Sequence, residues 1–290
     1  MIILIKNLLK LFFMHLKLNQ QLFDLSSPLI MGIINVTPDS FYKGSRFTTE
    51  KAILHAVDKI LENGGGIIDI GGFSTRPSAE IISEEEEIYR LSKALEIILK
   101  KYPQTVISID TFRAKVARYM VENFQVAMIN DVSGGTLDDQ MFETIADLKV
   151  AYVLMHMRGT PQTMQQLTDY EDVVTEVFQF LQKRLAQLRS LGVTDVIIDP
   201  GFGFAKTIQQ NYQLLKKLSY FKELGAPILA GLSRKSMIYK LLNITPDEAL
   251  TGTIAVNMLA LIGGASILRV HDVKEAMQTI KIFNEYIAAF

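Results

Sequence analysis

Short, almost wholly apolar runs alternate along this chain with longer stretches in which apolar positions return at helical spacing. An apolar run without alternation marks a strand buried on both faces, as in a parallel sheet covered by helices. On this pattern strands are expected at Leu29–Ile34, Ile67–Ile70, Thr105–Ile109, Val126–Ile129, Val150–Met155, Val196–Ile198, Pro227–Ala230 and Ser266–Val270. Helices are expected between them, at about 49–63, 83–101, 113–122, 140–148, 171–191, 208–218, 236–242 and 247–262, with a last one closing near Tyr286. End signals agree with several of these. Ser83 can cap its helix, Glu84 to Glu87 suit the positive end of the dipole, and Lys100 and Lys101 suit the negative end. Gly64 and Gly192 stop two others.

Strand–helix alternation implies parallel pairing through right-handed crossovers. The unit recurs eight times, the count of a (β/α)8 TIM barrel. A doubly wound open sheet is the alternative, and it usually carries a Gly-x-Gly-x-x-Gly turn after its first strand. Here that turn reads Asn35-Val36-Thr37-Pro38-Asp39-Ser40-Phe41, which favours the barrel. The expected organisation is α/β, with residues 25–290 as one barrel domain and 1–24 as an N-terminal extension of open role.

In a barrel the C-terminal strand ends converge on the mouth that holds the active site. Asn35, Asp110, Asn130, His156, Asp199 and His271 all fall at such ends. Asp199 is the sharpest case. Pro200 stops its strand, and Gly201 and Gly203 allow the bent loop that follows. Taken singly, Asp199 reads equally well as a turn cap, and His156 reads as a packed, hydrogen-bonded histidine. Six polar residues on one rim are a different matter. Two carboxylates and two amides suit a heterocycle with several N–H and carbonyl groups. Arg76, Lys235, Arg269 and His271 add positive charge, which suits a phosphate-bearing substrate.

Composition narrows the remaining choices. The 290 residues are 49% hydrophobic and 21% charged, enough for a large core. A net charge of -1 gives no electrostatic footprint for nucleic acid. There is no Cys, so disulfides, thiolate catalysis and cysteine zinc sites are excluded, which fits a reducing compartment. Four scattered His do not make a His-rich metal centre. The apolar stretch 1–14 is broken by Lys6 and Lys10 and is too short to span a membrane. It reads as an amphipathic surface helix, or as residues ahead of a true start at Met14.

The chain resembles the dihydropteroate synthase family from about Leu29 to the C-terminal helix. The resemblance rests on Met31-Gly32-Ile33-Ile34-Asn35-Val36-Thr37-Pro38-Asp39-Ser40-Phe41, Ser74-Thr75-Arg76-Pro77, Ser108-Ile109-Asp110-Thr111, Ile129-Asn130-Asp131-Val132-Ser133-Gly134-Gly135, Met155-His156-Met157-Arg158-Gly159-Thr160-Pro161, Asp199-Pro200-Gly201-Phe202-Gly203-Phe204, Ser233-Arg234-Lys235-Ser236 and Arg269-Val270-His271-Asp272. Their order and their position at strand ends make it specific.

The resemblance implies condensation of 7,8-dihydropterin-6-ylmethyl diphosphate with p-aminobenzoate, with Mg2+ as cofactor. It implies that Asp110, Asn130, Met155, Asp199, Phe204 and Lys235 bind the pterin. It implies that Asn35, Thr75, Arg76, Arg269 and His271 take the diphosphate, with Asn35 also near the metal. Phe41, Pro77, Lys235 and Ser236 are expected around p-aminobenzoate, and Asp39, Arg76, Lys235, Arg269 and His271 form the expected catalytic set. A sulfonamide-target, cytoplasmic enzyme without a stable membrane span, and a homodimer, complete the expectation.

Two positions depart from the family pattern. Tyr42-Lys43-Gly44 stands where Ser-Asp-Gly is usual, and Phe73 where a polar residue, often Glu, is usual. Two rival readings follow from the same residues. One is a pterin-binding methyltransferase acting on methyltetrahydrofolate, which has no diphosphate to hold, so that Arg76, Arg269 and His271 count against it. The other is a degenerate barrel that binds pterin without turnover.

Overall fold

The computed structural model describes residues 15–19, 21–36, 50–73 and 82–289. A hairpin opens the described chain, β1 (His15–Leu18) and β2 (Gln21–Asp24), antiparallel. Strands β3 (Leu29–Asn35), β4 (Ile67–Gly71), β5 (Ile107–Asp110), β6 (Met128–Asp131), β7 (Ala151–Met155), β8 (Val196–Asp199), β9 (Leu229–Ala230) and β10 (Ile267–Val270) form one parallel sheet. Its order is β8-β7-β6-β5-β4-β3-β10-β9. A parallel bridge between Ile198 and Ile228 joins β8 to the residues before β9, so the eight strands close into a barrel. The helices are α1 (Glu50–Glu62), α2 (Glu84–Lys101), α3 (Ala114–Phe124), α4 (Met141–Leu148), α5 (Val173–Ser190), α6 (Ile208–Lys216), α7 (Ser236–Leu242), α8 (Leu250–Ile262) and α9 (Val273–Ala288).

The expected strands and helices all appear, with shifted ends. Ser83 caps α2, its hydroxyl accepting from the Glu86 N–H at 3.2 Å. The stretch expected as one helix over 247–262 divides into a 3-10 turn, Pro246–Glu248, and α8, because Thr245 and Glu248 build a capping box around Pro246. The segment after α6 likewise tightens into a 3-10 helix, Leu218–Leu224.

Inside the barrel, period two sorts the apolar runs into two destinations. Outward positions such as Ile68, Ile70, Ile107, Ile109, Ile129, Ile198 and Leu268 pack under the helices in one large core. Inward positions nearer the N-terminal strand ends, Met31, Ile67, Met128, Val153, Ile197, Leu229 and Ile267, form a separate apolar floor. The hairpin belongs to that floor. Its burial alternates, so that Leu16 and Leu18 lie in the floor cluster while His15 and Lys17 face out. The Lys17 N–H also donates to Asp195 Oδ1 at 2.8 Å, just before β8. The two hairpin strands therefore act as the barrel's bottom plug, with Leu16, Leu18 and Phe23 sharing its core. The helix expected over 1–14, and the start at Met14, lie outside the described residues.

No helix among the described residues is long and apolar enough to cross a membrane.

Candidate active site

Above the apolar floor the inward parity turns polar. Asp69, Ser108, Asp110, Asn130, Asp199 and Arg269 occupy the inward positions of β4, β5, β6, β8 and β10. Register sets neighbours: Asn35 pairs with Gly71, Gly71 with Asp110, and Asp110 with Asn130, so three site residues stand on one level of adjoining strands. Met155 stands beside Asp199 in the same way.

Asp199 both caps and faces the well. Its Oδ1 accepts the Gly201 N–H at 2.7 Å, which leaves Oδ2 for another partner. Gly201 has φ +73°, and a Cβ there would sit 2.0 Å from the His156 carbonyl oxygen, so only glycine lets the loop turn here. Burial raises the Asp199 pKa, and Lys235 pulls it back down. Lys235 is the reciprocal case. Burial lowers its pKa to about 8, while Asp199 favours its charged form. Its Nζ donates to the Phe202 carbonyl and lies 4.3 Å from the centre of the Phe204 ring.

Arg269 reaches across the well from β10. Its Nε donates to Asp69 Oδ2 at 2.7 Å and its Nη2 to Asp110 Oδ2 at 2.6 Å. Burial nonetheless pushes the Asp110 carboxyl up to about 7, against the pull of Arg269. Asn130 Nδ2 donates to Asp69 Oδ2 at 3.0 Å, and the Ser108 hydroxyl donates to Asp69 Oδ1 at 2.6 Å. An ionised carboxylate only accepts, so this fixes which side of the Asn130 amide is nitrogen. The Asn130 oxygen is then the acceptor left for a ligand.

The well therefore offers acceptors from Asp110, Asn130 and Asp199, with cations from Lys235 and Arg269. That array suits a planar heterocycle with several N–H groups, attached to an anion.

His271 follows β10, and its Nδ1 lies 3.0 Å from Ser233 Oγ. Next to it Arg234, at φ +54°, holds Asp272 with Nε and Nη2, at 2.8 and 2.9 Å. These contacts tie the turn that carries Lys235 and Ser236, the first residue of α7, to the end of β10. Asn35 ends β3 half-buried, its Oδ1 beside Gly71. Thus Asn35, Asp110, Asn130, Met155, Asp199, Phe204, Lys235, Ser236, Arg269 and His271 all stand at the C-terminal face of the barrel. Asp39, Phe41, Lys43, Thr75, Arg76 and Pro77 lie outside the described residues.

His156 is a structural residue, as its singular reading expects. It is buried, edge-on to Phe180 at 4.9 Å between ring centres, and burial beside Lys206 lowers its pKa well below the usual value. Phe73, the departure from the family pattern, is buried edge-to-face against Phe112 at 5.5 Å, with the Arg113 guanidinium 5.5 Å from its ring centre.

Two buried charged residues of the well and its loop lie outside the strand-end pattern. Asp69 is one; its signal was a lone acid inside the apolar run Ile67-Ile68-Asp69-Ile70. Lys206 is the other. Its Nζ donates to the carbonyls of Gly201 and Phe204, each at 2.9 Å, and meets His156 Nδ1 at 3.0 Å, clamping the loop after β8.

Among the described residues no group of three or more His, Cys, Asp or Glu could hold a metal ion. Asn35 offers a neutral oxygen at the rim. Mg2+ usually keeps several waters and is bound through one or two carboxylates plus substrate phosphates, and to such a hard-oxygen shell Asn35 would add one neutral amide oxygen.

Comparison with known proteins agrees with the geometry. The family described as "Pterin binding enzyme" matches residues 31–271. A dihydropteroate synthase of Synechocystis sp. is 44% identical over 271 residues, covering 92% of this chain and 93% of that one. The Haemophilus influenzae enzyme of the same name is 43% identical over 272 residues, covering 93% and 98%. Among solved structures, Yersinia pestis dihydropteroate synthase with a sulfonamide drug complex superposes with a TM-score of 0.89 at 36% identity, covering 96% of this chain and 100% of that one. The Thermus thermophilus enzyme in complex with 4-aminobenzoate gives 0.83 at 34% identity, covering 94% and 99%.

Proposed function

The chain belongs to the pterin-binding enzyme family as a dihydropteroate synthase, and from that premise we propose how its residues divide the reaction. It condenses 7,8-dihydropterin-6-ylmethyl diphosphate with p-aminobenzoate, giving 7,8-dihydropteroate and diphosphate in folate synthesis. The observation that carries the assignment of roles is the acceptor array. A dihydropterin presents N–H groups at N3, N8 and the 2-amino group. Asp110, Asn130 and Asp199 each keep one oxygen for such a donor after their internal bonds are counted. Buried acceptors reject a ring that lacks the matching N–H, because they would be left unpaired. Lys235 flanks the ring, and Met155 and Phe204 supply apolar walls.

The diphosphate is assigned to Asn35, Arg269 and His271, joined by Thr75 and Arg76 on the strength of the family pattern. Ser236, at the start of α7, is assigned to the carboxylate of p-aminobenzoate with Phe41, Pro77 and Lys235. The reaction breaks the C–O bond between methylene and diphosphate, whose electrons leave with the diphosphate. The aryl amine then forms the C–N bond and gives up a proton. Arg269 faces the charge gathering on the leaving group, where a fixed cation counts most, and His271 stands with it as a further ring-nitrogen partner. The electron-rich pterin carries the positive charge on the methylene, so we assign a dissociative substitution without a covalent enzyme intermediate. Mg2+, held through Asn35, would neutralise diphosphate charge when bound. Asp39 and Arg76 complete the proposed catalytic set.

We also infer a homodimer. Leu259 and Ile262 on α8, and Ile282 and Tyr286 on α9, are large apolar side chains left more than half exposed on two contacting helices. A cytoplasmic location is the reading we adopt for a chain without Cys.

The test is turnover of pterin diphosphate with labelled p-aminobenzoate, with and without Mg2+. Diphosphate release matched to dihydropteroate formation is the expected result. Methyl transfer from methyltetrahydrofolate, or pterin diphosphate binding without product, would replace this reading by one of its two rivals.

A further inference from the structure

We propose that Asp69 is a positioning residue that sets the pterin-reading amide and the leaving-group arginine at once. The proposal rests on the roles given above to Asn130 and Arg269. Asp69 lies one inward step below the level of Asp110 and Asn130, fully buried. One oxygen of its carboxylate, Oδ2, accepts from Asn130 Nδ2 at 3.0 Å and from Arg269 Nε at 2.7 Å. The other, Oδ1, accepts from the Ser108 hydroxyl at 2.6 Å. All three donors are inward residues, Ser108 on the adjoining β5 and Asn130 and Arg269 each two strands away on opposite sides of β4, so the acid is the shared centre of the polar well.

Each bond has a consequence for the ligand. An amide can turn either end toward a ring, and only its oxygen suits a donor edge. By taking the nitrogen, Asp69 presents the Asn130 oxygen. A guanidinium can likewise be drawn wholly onto one acid. Asp69 takes Nε and Asp110 takes Nη2, which leaves Nη1, without a hydrogen-bond partner among the described residues, for an anion. Asp69 needs no contact with substrate for either effect. Its side chain is fully buried while those of Arg269 and Asp110 keep some exposure, which places it behind the reacting groups.

The position also makes the effects separable. In Asp69→Ala, Asn130 loses its orienting acceptor and Arg269 one of its two acids. In Asp69→Asn the amide oxygen can stay in the shared acceptor position, since the Ser108 hydroxyl can rotate to accept from the new NH2 group. Asn130 then keeps its orientation, while Arg269 loses a charged partner. In Asp69→Ala/Asn130→Asp, a carboxylate at 130 offers an acceptor whichever way it turns.

The experiment measures pterin diphosphate affinity by calorimetry, kcat, and the KM for p-aminobenzoate at saturating pterin diphosphate, in the full chain. Asp69→Ala should weaken pterin diphosphate by about tenfold or more and lower kcat, with the p-aminobenzoate KM within twofold. Asp69→Asn should bind within about threefold of the parent but turn over more slowly. The double variant should recover pterin affinity. A purely structural acid predicts neither recovery. Parent-like affinity and kcat in Asp69→Ala, or failure of both recoveries, overturns the proposal. If Asp69→Ala does not fold, Asp69→Asn decides: a parent-like kcat overturns it. Asp199→Asn runs alongside. If that variant also binds normally, the pterin assignment itself falls, and the proposal falls with it; if Asp199→Asn fails to bind while the Asp69 variants are parent-like, only the proposal falls.

Discussion

Asp199→Asn changes one atom in the well, and the structure fixes where that atom goes. The Gly201 N–H at 2.7 Å must be met by a side-chain oxygen, because Gly201 is held in a left-handed turn against the His156 carbonyl. The amide oxygen of the variant therefore stays on Gly201, and the new NH2 group takes the place of Oδ2. It faces the N–H edge of the pterin, donor against donor. Loss of a charge-assisted hydrogen bond costs about 1.5–3 kcal/mol, and each unpaired buried donor about 1–3 more. A combined loss of about 3 kcal/mol or more corresponds to roughly 150-fold in Kd. The free protein should not suffer. Burial raises the Asp199 pKa, so its ionised form costs the folded state stability at pH above that raised value, and the neutral amide removes the cost. The variant should thus keep or raise its Tm while losing pterin. A second effect follows at Lys235, whose charge Asp199 favours against burial. Without Asp199, Lys235 should lose its proton below the parent's value of about 8. Calorimetry with the pterin diphosphate, thermal unfolding, and the alkaline limb of the pH profile read these three quantities. A Kd within threefold of the parent would refute the role of Asp199.

The profile of kcat/KM for pterin diphosphate should be bell-shaped. It should fall below about 7 as Asp110 takes a proton and loses an acceptor, and above about 8 as Lys235 loses its charge. Asp110→Asn should flatten the acid limb of its residual activity and Lys235→Arg should move the alkaline limb out of range; limbs unchanged in both would assign them elsewhere. Leu18→Ala should cost about 2–5 kcal/mol in denaturant unfolding, as a buried leucine removed from the barrel floor, with both KM values unchanged. Sedimentation should give a dimer for the parent and a monomer for Leu259→Glu/Ile262→Glu, and a parent that sediments as a monomer would remove the inferred interface.

How much of this was legible in the sequence depends on where each residue lies relative to a strand end. Asn35, Asp110, Asn130 and Asp199 could be read because each closes an apolar run, and a barrel brings such ends together. Asp69 sits two residues inside its strand, where the same rule looks for core. Nothing local says that its acid is matched, since Arg269 is 200 residues away. Lys206 stands in the most informative stretch of the chain, yet its three partners include His156, 50 residues earlier. The hairpin lies outside the expected strands although His15-Leu16-Lys17-Leu18 alternates with period two, because it follows a longer apolar stretch that reads as a surface helix. Asn19, at φ +46° in the turn, is a residue that tolerates that conformation.

The floor and the well depend on each other through the same alternation. Inward residues low in the barrel are apolar and sealed by Leu16 and Leu18, so no polar medium lies beneath Asp69 and Arg269. An ion pair or a hydrogen bond is stronger there than at a surface, and an unpaired charge costs more. That is why burial raises Asp110 even with Arg269 at 2.6 Å. It is also why the well counts its partners closely. Three acids, Asp69, Asp110 and Asp199, face two cations, Lys235 and Arg269, and each acid is bonded before substrate arrives. The atoms left over, one oxygen on each of Asp110 and Asp199, the Asn130 oxygen and one guanidinium nitrogen, are then the ones a ligand must satisfy. A pterin diphosphate brings donors for the oxygens and an anion for the nitrogen. A ring without the diphosphate leaves the nitrogen unmet, and a diphosphate without the ring leaves all three oxygens unmet. On the proposed assignment, specificity for the joined molecule comes from the internal bonding of the well, with Asp69 and the sealed floor holding it in place.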